Sequence, residues 1–319
     1  MKKIVDKRYM TEADWQEYRE KQQASCKLGG SDISTILGIN PYKSKFTLWL
    51  EMTGQKPKDI VDNPAVEWGN ILEPVIREKF KAVTGFKVFK NNFVLQHDHF
   101  DWMVANLDGE VIDPYFDGRG VLEIKTTHER NKKDWEDGCP IYYMSQVQWY
   151  LGVTGYDYAY IAVLIGGSTF KYFLIERDDY LIDTMISEAS KFVYQVQNRI
   201  PPEIGGSKSE SEWLAQAFPE AIEEELTIPP SLEEMALEYH ELQAQIKAMN
   251  TRCDELKNHI KLEGKEFKTL RGNLVRIHMP TIKKTLFDTK LFTSEHPELY
   301  TKYKTKESTY RGFDVSLLQ

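Results

Sequence analysis

Asp108, Glu123 and Lys125 are the residues whose types and spacing could do chemistry together. In Val121-Leu122-Glu123-Ile124-Lys125, a strand's period of two sends Leu122 and Ile124 into a core and places Glu123 and Lys125 on the opposite face. An acid and a base then lie side by side. Asp108 belongs to Asn106-Leu107-Asp108-Gly109, where the Asp-Gly pair marks a turn. The apolar run Trp102-Met103-Val104-Ala105 is expected as the adjacent strand, which would deliver Asp108 next to Glu123. Two such carboxylates are costly to keep ionised unless a hard cation sits between them, and oxygen ligands suit Mg²⁺ or Mn²⁺. A lysine in reach can orient a water for attack on a phosphate. The same residues also fit a plain hairpin turn and a cross-strand ion pair on an exposed face.

The elements that must position these groups follow from the flanking sequence. Gly29-Gly30-Ser31-Asp32 reads as a turn and N-cap, Ile33, Ile36 and Leu37 have helical spacing, and Gly38 closes the helix. Its start presents unpaired N–H groups and the Ser31 hydroxyl, which is either a phosphate seat or an ordinary cap. Trp68-Gly69-Asn70 is expected to open another helix, with Leu72, Ile76, Phe80 and Val83 apolar, Glu73 in its first turn and Pro74 early. Glu73 is then a third carboxylate for the site or an acid favoured by the helix dipole. Short strands are expected at Val88 to Val94, Trp102 to Leu107, Glu110 to Ile112 and Val121 to Lys125. A helix from Tyr142 to Leu151 places Tyr143, Gln146 and Tyr150 on one face. Strands at Tyr156 to Leu164 and Thr169 to Glu176 meet at Gly166-Gly167, and a helix from Tyr180 ends before Pro201-Pro202.

At 319 residues with a net charge of -8, the chain can hold one sizeable α/β core and an appendage, and it is not coated with base for non-specific DNA binding. An enzyme can still concentrate Lys and Arg in one channel. There is no apolar run of bilayer length and no signal-peptide core at Met1-Lys2-Lys3-Ile4, so a cytoplasmic location without membrane contact is expected. Three scattered cysteines, Cys26, Cys139 and Cys253, exclude a disulfide framework and a four-cysteine cluster.

Gly205-Gly206-Ser207-Lys208-Ser209 marks a boundary. Beyond it Leu232, Met235, Tyr239, Leu242, Ile246, Met249, Cys253, Leu256 and Ile260 alternate three- and four-residue spacing, a heptad pattern for a long helix that docks along another helix. Strand-like pieces at Leu274 to Met279 and Tyr310 to Val315 flank a stretch of lysines interleaved with Phe292, Tyr300 and Tyr303. That stretch is either a DNA contact or a solvated face.

In order, Gly29-Gly30-Ser31-Asp32, Leu37-Gly38, Pro41-Tyr42, Trp68-Gly69, Glu73-Pro74, Leu107-Asp108-Gly109, Leu122-Glu123-Ile124-Lys125 and Tyr143-Met144-Ser145-Gln146-Val147-Gln148 resemble the lambda-exonuclease or YqaJ-like viral recombinase family. That family belongs to the PD-(D/E)XK nuclease superfamily. The resemblance implies an α/β, restriction-endonuclease-like PD-(D/E)XK core, a central mixed sheet flanked by helices, over residues 1–204. Residues 205–230, read as a linker, and 231–319, read as a coiled-coil helix with a small α+β appendage, lie beyond the resemblance, and the compact members of the family lack them. The resemblance further implies a Mg²⁺- or Mn²⁺-dependent exonuclease, with two ions per site, that digests one strand of linear duplex DNA in the 5′→3′ direction. The 3′ overhang would pass to a phage single-strand annealing protein inside a bacterial host, and the compact members of the family form trimers.

Carried over by position, Asp108, Glu123 and the Ile124 carbonyl would bind metal, Lys125 would orient or activate the water, and Glu73 would hold a second ion or a metal-bound water. Gln146 would position the nucleophile, and Ser31 and Tyr143 would lie near DNA phosphate. The family places an arginine shortly before Gly-Gly-Ser for the terminal 5′-phosphate. Here Arg19 and Lys27 are the candidates, and a lysine cannot make the bidentate contact. Two other readings stand beside this one: an iron–sulfur nuclease of another pathway, disfavoured by the scattered cysteines, and a non-catalytic DNA-end or recombinase-binding scaffold working through its coiled coil.

Overall fold

The computed structural model describes residues 1–11, 14–15, 17–18, 21, 25–56, 64–304 and 310–318, side chains 65 and 209 excepted. It divides into two compact units, Met1–Leu214 and Ala215–Gln319.

In the first unit, strand β1 (Lys2–Asp6) leads into a 3₁₀ turn, Lys7–Tyr9. Helix α1 (Gly30–Ile36) starts at Gly29, whose N–H donates to Asp32 Oδ2 at 2.9 Å. Helix α2 (Lys45–Met52) starts at Ser44, whose hydroxyl accepts the Thr47 N–H. Helix α3 spans Pro64–Thr84 and is followed by β2 (Lys87–Phe89), β3 (Phe93–Gln96), β4 (Val104–Asn106), β5 (Gly109–Ile112) and β6 (Gly120–Thr127). Helix α4 (Ile141–Thr154) connects β6 to β7 (Tyr158–Ile165), and β8 (Thr169–Glu176) precedes α5 (Asp179–Gln197). Gly166 and Gly167, with φ of 60° and 75°, make the turn between β7 and β8 that side-chain-bearing residues would strain. Helix α6 (Lys208–Ala217) follows.

The expected α/β architecture is present. A five-stranded sheet has the order β2-β5-β6-β7-β8, with β6 and β7 parallel and the other pairs antiparallel. Alternation along β7 separates two cores. Ala159, Ile161, Val163 and Ile165 pack with residues of α1, α2, α4 and α5, while Tyr158, Tyr160 and Ala162 pack with Ile76 and Phe80 of α3. Helices therefore cover both faces.

Strands β1, β3 and β4 form a separate sheet. This corrects the expected pairing of Trp102–Ala105 with the Glu-x-Lys strand: β4 pairs with β3, and β5 takes the place beside β6. The helix around Glu73 also differs from expectation. It begins at Pro64, so Glu73 lies beyond the first turn and Pro74 is interior, without an N–H for the Asn70 carbonyl.

Residues 205–214 belong with the first unit, so the division falls later than Gly205. Ser207 and Glu210 form a capping box, Ser207 N–H to Glu210 Oε2 at 2.9 Å and Glu210 N–H to Ser207 Oγ at 3.3 Å, and Trp213 meets Phe46 edge-on at 5.2 Å.

In the second unit, α7 runs from Pro230 to Gly264, the expected long helix. Strands β9 (Thr269–Arg271) and β10 (Arg276–His278) form a hairpin, and α8 (Thr289–Glu295) and α9 (Pro297–Tyr303) take up the lysine- and aromatic-rich stretch. Residues 310–318 carry no strand, against the expectation for Tyr310 to Val315. Among the described residues no helix is long and apolar enough to cross a membrane.

Candidate active site

Asp108 sits where the chain passes from one sheet to the other, between β4 and β5. The β5–β6 ladder stops at Gly109 opposite Leu122, and the next available β6 donor, the Ile124 N–H, reaches Asp108 Oδ2 at 2.8 Å. A short chain of backbone contacts fixes the approach. Leu28 bonds Trp102 and Val104 through N–H and carbonyl, and the Trp149 indole donates to the Val104 carbonyl at 3.0 Å. The segment before α1, strand β4 and helix α4 are thereby held around Asp108.

Strand β6 has the expected alternation: Leu122 and Ile124 enter the α3-side core, and Glu123 and Lys125 face α4. Glu123 is 3% exposed. Its Oε1 accepts from Lys125 Nζ at 2.6 Å and from Gln146 Nε2 at 2.8 Å, while Gln146 Oε1 accepts from Lys125 Nζ at 2.9 Å. Acid, base and amide close a triangle. The Gln146 amide also meets the Tyr150 hydroxyl at 2.9 Å. Gly30 is what lets α1 lie against this pair, because a Cβ there would stand 2.5 Å from Tyr150 Cε1 and 2.9 Å from Gln146 Cγ.

The electrostatics follow from crowding charge in a poorly solvated place. Burial raises the Asp108 carboxyl well above the usual carboxylate range, and the charges of Glu123 and Glu73 push it the same way. Burial alone would lower the Lys125 pKa, but Glu123 and Asp108 outweigh it and hold the ammonium above its ordinary value. Tyr143 lies against Lys125, its ring centroid 4.7 Å from Nζ and its face stacked on Trp135. Glu73 is paired with Arg77, whose Nη2 also donates to the Asp108 carbonyl at 2.9 Å. One guanidinium therefore spaces Glu73 from Asp108, and no group of three or more His, Cys, Asp or Glu side chains converges among the described residues.

Glu123 Oε2 is buried with no hydrogen-bond partner. A buried carboxylate oxygen left this way is costly, and a cation is the natural remedy. Asp108 and Glu123 therefore fit a hard divalent ion, which typically takes one or two carboxylates and fills its remaining positions with water and phosphate.

These groups border a cavity of about 1170 Å³ lined by Glu73, Asp108, Glu123, Gln146 and Ser31, and by the cations Lys7, Arg8, Lys27, Lys43 and Lys90. In a chain of net charge -8 this is a local concentration of base. Tyr143 does not line the cavity, and Arg19 lies outside the described residues. The reading of the sequence missed Arg77, Lys7 and Lys90, and it put Tyr150 on the face of Gln146 without giving it a role. Arg77 carries a local signal, four residues beyond Glu73 on a helix. Lys7 carries none: it donates to Asn106 Oδ1 from 99 residues away in the sequence.

The YqaJ-like viral recombinase domain matches residues 14–157. A Bacillus subtilis (strain 168) protein, YqaJ, is 35% identical over 294 residues, covering 90% of each chain. Protein D345L of African swine fever virus is 26% identical over 157 residues, 42% of this chain and 43% of that protein. Among solved structures, an alkaline exonuclease from Laribacter hongkongensis has 22% identity and a TM-score of 0.46, covering 57% of this chain and 94% of that one. The chain belongs to the YqaJ-like viral recombinase family.

Proposed function

We propose that the chain is a divalent-metal-dependent PD-(D/E)XK exonuclease of DNA recombination. It hydrolyses one strand of linear duplex DNA in the 5′→3′ direction, in the cytoplasm of a bacterial host, and leaves a 3′ overhang for a single-strand annealing protein. The observation that carries this reading is the orphaned Glu123 Oε2 beside Asp108 and Lys125.

Asp108, Glu123 and the Ile124 carbonyl would hold Mg²⁺ or Mn²⁺, which when bound offsets the carboxylate charges and polarises a phosphate. Lys125, kept as an ammonium, donates to the attacking water or to a phosphate oxygen. Gln146 fixes Lys125 and Glu123 relative to one another, and the Tyr143 ring backs the Lys125 head. Glu73, held by Arg77 beside Asp108, is the carboxylate available for a second ion or a bridging water. Ser31, Lys27, Lys7 and Lys90 line the path for the DNA backbone, where positive charge supplies most of the sequence-independent affinity.

The test is digestion of linear duplex DNA with and without Mg²⁺, on 5′-phosphorylated and 5′-hydroxyl ends, by wild type and Lys125→Ala. The expected result is Mg²⁺-dependent loss of one strand that the variant does not produce, faster on the phosphorylated end if Lys27 or Arg19 serves it. A folded wild type that binds DNA ends without cutting them under Mg²⁺ or Mn²⁺ would overturn the enzymatic reading.

A further inference from the structure

The apolar stripe of helix α7 is exposed. Met235 is 64% exposed, Ile246 45% and Met249 59%, and the Phe313 ring that meets Tyr239 edge-on at 5.1 Å leaves it 38% exposed. The three-four alternation assigns Leu232, Tyr239, Ile246, Cys253 and Ile260 to heptad position a and Met235, Leu242, Met249 and Leu256 to position d. What such a seam faces is decided by the residues beside it. Position g holds Glu238 and Arg252, position e holds Lys257, and the other flanking residues from Ser231 to Asn250 are uncharged.

We propose that this seam is the dimerisation surface of the chain and that two copies of α7 pair in antiparallel. A parallel pair would set Arg252 against the partner's Lys257 twice, a repulsion at both copies. An antiparallel pair with its twofold axis at the level of Ala244 sets Glu238 against the partner's Arg252 twice. In the same register every apolar layer finds an apolar mate: Leu242 opposite Ile246, Tyr239 opposite Met249, Met235 opposite Cys253. The sequence is thus complementary to its own reverse, as a twofold interface requires. Arg252 now bonds Glu255 one turn on, at 2.8 Å, in an exposed pair too weak to withhold it from a partner.

The seam is also long enough. The overlap from Leu232 to Leu256 spans about 37 Å of helix. Eight stripe side chains per chain, each losing on the order of 60 Å² of remaining exposure, bury about 1,000 Å² in total, the size at which specific association begins. Among the described residues of Ala215–Gln319 only Gly264 is buried, and the Phe313 ring on Tyr239 is the ring contact along the seam that pairing would have to accommodate.

The experiment is sedimentation of the full-length chain over a concentration series, wild type against Ile246→Lys, Arg252→Glu, and Glu238→Arg combined with Arg252→Glu. Wild type is expected as a dimer or a larger even-numbered assembly. Ile246→Lys should raise the dissociation constant of the pair by about 100-fold or more. Arg252→Glu should weaken it by several-fold, because Glu then faces Glu238, and the double swap should restore it. In a Cys253-containing chain, Met235→Cys should form a disulfide-linked dimer under mild oxidation that Cys253→Ser removes, while wild type forms none through Cys253. A wild type that is a single chain at all concentrations, or an assembly indifferent to Ile246→Lys, would overturn the proposal. So would tighter association by Arg252→Glu or cross-linking of wild type through Cys253, both of which mark a parallel pair.

Discussion

In Met1–Leu214 the apolar side chains of both sheet faces are packed into two cores, whereas among the described residues of Ala215–Gln319 only Gly264 is buried. The first unit needs its cores for a chemical reason. Asp108, Glu123 and Lys125 interact strongly because Glu123 is buried and the other two are partly withdrawn from water, and they stay in place because Ile124, Gln146 and Tyr150 hold them. In the second unit the same apolar residue types lie along one exposed helix face, and under the pairing proposed above what they would stabilise is association. The two regions therefore respond to mutation differently, the first through the site and its packing, the second through assembly.

The sharpest break in the first unit comes from its charges. Asp108→Asn should lower metal-dependent cleavage by on the order of 10³-fold. Without metal its melting temperature should match or exceed wild type, because the amide removes a charge that burial, Glu123 and Glu73 oppose. Lys125→Ala should lose as much activity and also destabilise the metal-free protein by about 3–5 kcal/mol, since it leaves Glu123 buried without its ion pair. Thermal melts beside single-turnover digestion separate the two. Equal melting temperatures for both variants would show that the site is solvated more like the exposed second unit.

Next in size is a packing change with no charge in it. Gly30→Ala places a methyl against Tyr150 and Gln146, and overpacking of this kind costs about 1–3 kcal/mol. Because Gln146 fixes both Glu123 and Lys125, cleavage should fall along with stability. A variant of lowered melting temperature with unchanged turnover would detach α1 from the site.

How much of this was legible follows from where the signals lie. The face shared by Glu123 and Lys125 could be read because a strand's period is local, and α1 could be read from Gly29 to Gly38 because its cap and stop are local too. The neighbour of β6 could not. Trp102–Ala105 is as apolar as any strand partner, and only the three-dimensional path, with β4 in another sheet, shows that Asp108 arrives across a sheet change. The α3 start was misplaced because Trp68-Gly69-Asn70 resembles a cap, while tertiary packing of Ile76 and Phe80 supports a helix that tolerates interior Pro74. Lys7 reaches Asn106 over a separation that no pattern reports. At the far end the signal is present and overshadowed: Ser207-Lys208-Ser209-Glu210 is a capping box written directly after two glycines that read as a linker.

That box provides the smallest and most local test of where the packed region ends. Burial alone would raise the Glu210 carboxyl, but the Ser207 hydroxyl and N–H, the Gly205 N–H and the Ser44 hydroxyl outweigh it and hold the carboxyl below its ordinary value. A carboxyl lowered in the native state binds fewer protons there than in the unfolded chain, so its contribution is fully present above about pH 4.5 and disappears as pH falls through the native value. Glu210→Gln removes the charge and should cost about 1 kcal/mol at neutral pH, the size of a helix-cap loss. The gap to wild type should close as the pH drops below the ordinary carboxylate range. Chemical denaturation at pH 7 and pH 3.5 measures both ends. A gap that stays constant with pH would mean that Glu210 acts by shape alone. No gap at either pH would mean that α6 belongs, with α7, to the part of the chain that buries nothing.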